Sequence, residues 1–155
     1  MTADPVSAGE RESATLKRTR LLATAMAAGV LLLTAVSGVV SIPPVTRALA
    51  APAALLGIVS PLLGFRLFAW LRERAATETS HATHCAAFLR ATLLALSVTE
   101  AAAIFGVISF WMSGRIESLI GVVMHVILSG ALWPTPEKLE AFLSATEEAP
   151  AEPRE

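Results

Sequence analysis

The sequence predicts an all-α fold, an integral membrane bundle of four transmembrane helices with both termini cytoplasmic. Three observations carry that expectation. Of 155 residues, 54% are apolar and only 16% charged, proportions that suit lipid rather than water as the surrounding solvent. The charges are gathered at the borders of long uncharged runs. The basic residues are unequally shared between the loops on alternate sides of those runs.

Each span follows from where charge stops and resumes. Residues 21–42 carry no charge; at a rise of about 1.5 Å each they reach roughly 33 Å, enough for a hydrocarbon core of about 30 Å. Pro43 and Pro44 end that helix, because proline lacks the backbone donor. Span 2 begins near residue 48 and continues to about 71, uncharged from Ala48 to Phe65. Span 3, about 84–113, is uncharged between Arg90 and Arg115 apart from Glu100. Span 4, about 116–133, is the shortest and has Glu117 at its outer edge. The four together define a transmembrane domain over residues 21–133.

Lys and Arg near span ends are retained on the cytoplasmic side of a bacterial-type inner membrane or a plasma membrane. Arg11, Lys17, Arg18 and Arg20 precede span 1, and Arg72 and Arg74 follow span 2, whereas the two opposite loops hold only Arg47 and Arg115. An N-in, C-in topology follows. Trp70, Trp111 and Trp133 all fall at span ends, where indoles settle at headgroup level. With no Gly or Pro from Phe65 to Ser97, spans 2 and 3 are expected to form a helical hairpin that turns near Thr77–Ser80. Arg66 and Arg90 then lie at similar depth as inner-interface anchors, snorkelling to the headgroups.

Ala48-Leu49-Ala50 has the form of a small-residue cleavage site. The apolar run before it, however, is longer than the roughly 7–15 residues of a signal peptide's apolar core, so no cleaved leader is expected. Residues 1–20 read as a disordered basic segment. Residues 134–155 read as a short interfacial helix followed by a disordered acidic tail. Thr135 is suited to cap that helix, with Pro136 in its first position and Glu137 in its first turn.

Composition and motif search exclude several classes. A net charge of −1 gives no basic excess for nucleic acid. His81, His84 and Cys85 lie close together, but no carboxylate is spaced to complete a metal site, and they read as a solvated loop. Phosphate-binding glycine loops and nucleophile, base and acid arrangements are absent. The chain is expected to be no enzyme and to use no metal or cofactor; its partners are the lipid bilayer and, in an oligomer or membrane complex, other subunits.

The residue that stands out is Glu100, ten residues after Arg90 and fifteen before Arg115, hence near the bilayer midplane. A carboxylate at that depth costs several kcal/mol unless it is protonated or partnered, and buried acids of this kind belong to ion pathways or to packing contacts. His125 is the other ionisable side chain far from its span's ends, and counted from Gly114 the two differ in depth by roughly 5 Å. A Glu100–His125 contact would ease the cost of both groups, whether it passes a proton or only holds helices together. Supporting positions follow from spacing. Gly121, His125 and Ser129 form a small-residue stripe at i, i+4 and i+8, and Ser97 flanks Glu100 on span 3. Pro61 should kink span 2 and free the carbonyl near Gly57, a possible acceptor for a protonated Glu100.

The stretch Leu93–Phe110 contains Glu100-Ala101-x-x-Ile104-Phe105-Gly106-Val107, and it resembles the carboxylate helix of the proteolipid c subunit of rotary ATP synthases. The resemblance implies that Glu100 binds and releases the translocated ion. It also implies a proton rather than sodium, since Ala101 and Ala102 stand where sodium-binding members have hydroxyl residues. Span 2 departs from that family's glycine-rich first helix, carrying only Gly57 and Gly64. Two functions therefore compete at this point: a proteolipid-like protein with a protonatable Glu100 that takes part in proton movement, and a structural or accessory protein in which Glu100 and His125 serve helix packing.

Overall fold

A computed structural model describes residues 5–39, 44–75 and 81–147. Among them the chain is all helical: α1 (Pro5–Val39), α2 (Ala50–Ala75), α3 (His81–Ser113), a short 3₁₀ turn (Ile116–Leu119), α4 (Ile120–Ala131) and α5 (Pro136–Glu147). The expected hairpin turn at Thr77–Ser80 lies outside the described residues. Three helices are long and apolar enough to cross a membrane, over Gly9–Val39, Ala50–Ala75 and Ala82–Ser113. A fourth crossing exists only if Ile116–Ala131 and Pro136–Ala145, bent by 76° across the intervening break, count as one broken span.

The central helix is α3, which packs against α1, α2, α4 and α5, while α1 and α2 do not touch among the described residues. Spacing explains how each neighbour fits. On α1 the inward side chains are Leu16, Thr19, Ala23, Met26, Val30, Leu33 and Ser37, alternately three and four residues apart, which keeps a single seam facing α3. On α2 the buried positions are Ala50, Ala53, Gly57, Ser60 and Gly64, small residues throughout. Large residues on the same helix, Leu55, Leu56, Leu62 and Phe65, are exposed. This reverses the water-soluble arrangement, as expected where lipid solvates large apolar groups and packing depends on close backbone approach.

That approach is tight. A Cβ added to Gly57 would lie 2.6 Å from the Gly121 amide nitrogen, and one on Gly121 would lie 2.9 Å from the Ala102 carbonyl oxygen. One on Gly64 would meet the Ala95 carbonyl at 3.0 Å. The Gly121 end of the predicted stripe is thus the point where α2, α3 and α4 converge. Gly114, with φ 66°, makes the turn after α3 in a conformation that side chains disfavour.

Two terminal elements differ from the sequence expectation. Residues 5–20 are helical and continuous with the first span, not disordered. Their Ala, Glu, Arg, Leu and Lys residues are good helix formers, and Leu16 finds an apolar surface against the cluster of Phe88, Leu139 and Phe142. At the far end the 3₁₀ turn and α4 together span about 26 Å, a few ångströms short of a hydrocarbon core. The chain then turns at Pro134 into α5. Thr135 caps α5 as expected, accepting a hydrogen bond from the Lys138 amide at 3.3 Å, and its hydroxyl also holds the Glu137 carboxyl below the usual carboxylate range.

Charge is sorted by end. The Arg20 guanidinium donates to the Pro134 carbonyl at 2.9 Å, which ties the basic start of α1 to the α4–α5 turn. Arg47, Arg115 and Glu117 meet at the opposite end, where the amides of Val45 and Thr46 donate to the Met112 carbonyl at 2.8 and 3.0 Å.

Candidate functional site

Polar side chains near the middle of a span are the first place to look for function, since each costs free energy unless something satisfies it. Three such residues, Thr99, His125 and Ser129, come together around the α3–α4 contact. His125 has no accessible surface, and its Nδ1 lies 2.9 Å from the Thr99 hydroxyl. That hydroxyl is also 3.0 Å from the Leu96 carbonyl of its own helix. When the threonine proton goes to Leu96, the imidazole donates from Nδ1, and Nε2 is left as an acceptor. Nε2 is buried without a partner, and so is the Ser129 hydroxyl one turn further along α4.

Glu100 lies elsewhere. It is the next residue after Thr99, and about 100° of helical rotation carries it off the α4-facing side. Its side chain is half-buried, between Leu96 and Ala103, which are fully enclosed in clusters that also hold Ala23 and Val30 of α1. Ser97, Ala101 and Ile104, on its other flank, are exposed. The Glu100–His125 contact allowed by their depths does not form: Thr99 occupies the imidazole, and no hydrogen bond or ion pair among the described residues involves the Glu100 carboxylate.

The remaining expected positions are distributed as follows. Ser97 donates to the Leu93 carbonyl at 2.9 Å, so its hydroxyl serves its own helix. Pro61 lies inside α2 as expected, and the Gly57 carbonyl near it accepts from the Ser60 hydroxyl at 3.3 Å rather than from Glu100. Gly121 and Ser129 are buried with His125 on one face of α4. Arg66 and Arg90 are exposed. Trp70 and Trp133 are exposed, whereas Trp111 is half-buried with its indole N–H enclosed and unpartnered. His84 and Cys85 are buried in the first turns of α3 and do not form a solvated loop. No group of three potential metal ligands occurs among the described residues.

Comparison with known proteins adds nothing to this geometry. No family model, curated protein or solved structure matches the chain.

Sequence reasoning missed Thr99, the closest polar neighbour of His125. Its register gave a weaker signal than that of Glu100, since Thr99 lies fifteen residues before Gly114 and His125 eleven after it, roughly 6 Å apart in depth. A threonine in a helix also ordinarily satisfies itself on a preceding carbonyl and does not stand out.

Proposed function

We propose that the chain is a proteolipid-like, four-span membrane protein, N-in and C-in, in which Glu100 takes up and releases a proton, either in this chain's own proton movement or within a proton-moving assembly. The observation that carries this reading is the half-buried carboxylate of Glu100 on the central helix, which has no partner among the described residues. A carboxylate bearing a full charge is costly at mid-membrane. With no cation or donor bonded to it among the described residues, the acid is suited to take up a proton or to meet a group outside the chain. Its position on the flank of α3, next to exposed Ser97, Ala101 and Ile104, leaves it accessible to a neighbouring helix or to water entering there. The resemblance of Leu93–Phe110 to an ion-carrying carboxylate helix agrees with that chemistry.

A second reading has its own support. The Thr99–His125 hydrogen bond and the glycine contacts of α2 and α4 make a locked interface, as an accessory protein that serves only packing would have. Proton flux separates the two. Purified protein in liposomes is expected to dissipate an imposed pH gradient, and Glu100→Gln to abolish that flux while leaving the thermal stability in detergent unchanged. Protein-dependent flux that persists in Glu100→Gln would remove Glu100 from the pathway, and absence of flux in the parent chain would favour the accessory reading.

A further inference from the structure

At the basic end of the bundle, α2, α3 and α5 enclose a cavity of about 190 Å³. Its walls include Phe68, Phe88 and Phe142, with Phe142 edge-on to both others at centroid distances of 6.1 and 5.4 Å. Rings locked in this manner present a stiff apolar wall. Arg72 and Lys138 also line the cavity. The Lys138 ammonium donates to the Ala131 and Trp133 carbonyls at 2.6 and 3.1 Å, which fixes its position without pairing it to a carboxylate among the described residues. Arg72 is exposed and makes no hydrogen bond or ion pair among the described residues.

The sixth feature is a buried orphan. Thr92 lines the same cavity, has no accessible surface, and its hydroxyl has no partner. Ser97, Ser113 and Thr19 all donate to the carbonyl four residues back, so the Thr92 hydroxyl forgoes a bond that its helix offers. An unsatisfied buried hydroxyl is costly, and a ligand oxygen would satisfy it.

From these residues we infer that this cavity binds an anionic lipid, with the acidic headgroup at Arg72 and Lys138 and the upper part of an acyl chain against Phe68, Phe88 and Phe142. Charge complementarity and an apolar interior adjoining a cationic rim select an anionic amphiphile over a neutral one, because basic pockets between helices at a membrane surface attract acidic headgroups. The site is separate from Glu100 and does not depend on it.

Native mass spectrometry of the full chain, released from micelles doped with equal phosphatidylglycerol and phosphatidylcholine, tests the assignment. The protein is expected to retain one phosphatidylglycerol preferentially, and Arg72→Gln to lower that retention by about fivefold, the weight of one interfacial cation. Thr92→Val, equal in shape, is expected to weaken retention without lowering thermal stability in lipid-free detergent. Arg74→Gln serves as the control: Arg74 lies over the Trp70 ring, 5.3 Å from its centroid, and does not line the cavity, so its loss should leave retention intact. Equal retention of the two lipids, or full retention by Arg72→Gln, would overturn the inference. Displacement of the lipid by inorganic phosphate would also overturn it, by making the site one for a free anion.

Discussion

Adjacent residues of α3, Thr99 and Glu100, meet opposite conditions. Thr99 is sealed against His125, and Glu100 faces the flank of the bundle without a partner. Removing the Thr99 hydroxyl leaves Nδ1 as well as Nε2 of a fully buried imidazole unsatisfied. Thr99→Val is therefore expected to destabilise the folded bundle by about 1–2 kcal/mol, read as a lowered unfolding midpoint in detergent, with Thr99→Ser restoring most of it. An unchanged midpoint would mean that the imidazole finds another donor. The depth of His125 was legible in the sequence because depth follows from counting residues. Its partner was not, because facing direction changes by about 100° per residue, and nothing in four apolar helices states which side of α3 meets α4. For the same reason the Glu100–His125 contact was a sound expectation of height and a wrong one of direction.

Among the elements, α2 shows most clearly how this sequence folds. Its small residues turn inward at three- and four-residue intervals and its large ones outward, so packing relies on backbones that nearly touch. Gly57→Ala puts a methyl group into the Gly121 backbone, and neither helix can yield without shifting. A loss of about 1–3 kcal/mol is expected from such overpacking. Gly29→Ala, where a Cβ meets nothing within 4 Å, should not destabilise and should gain up to about 1 kcal/mol of helix propensity. Thermal unfolding of both variants in one detergent checks the pair, and equal effects would contradict the assigned interface. The Ser60/Gly64 spacing and the Gly121 stripe were readable as packing motifs, though not which stripe met which. Residues 5–20 were misread because an Ala- and Glu-rich composition suits both disorder and helix. What decides is the cluster around Phe88 and Phe142, formed by residues far away in sequence.

For the whole molecule, α3 is the axis on which the other helices are arranged, and it carries the single mid-span carboxylate at its flank. The ends differ in charge: Arg20 is joined to the α4–α5 turn at one, and Arg47 and Arg115 sit together at the other. The segment read as a fourth span is the least complete feature: α4 is short, and a 76° bend separates it from α5, which the absence of charge between Glu117 and Glu137 did not reveal. The cavity behind Phe142 was likewise invisible in sequence, since it exists only once α5 folds back over α2 and α3.

The central proposal, that Glu100 takes up and releases a proton in the membrane, is tested most directly by carbodiimide labelling of the chain in membranes at mildly alkaline pH, with the modified residue located by peptide mass spectrometry. A carbodiimide reacts with a protonated carboxyl, so selective modification of Glu100, absent in Glu100→Gln, is the predicted result. Failure of Glu100 to react, with or without modification of the exposed acids Glu117 and Glu137, would contradict it.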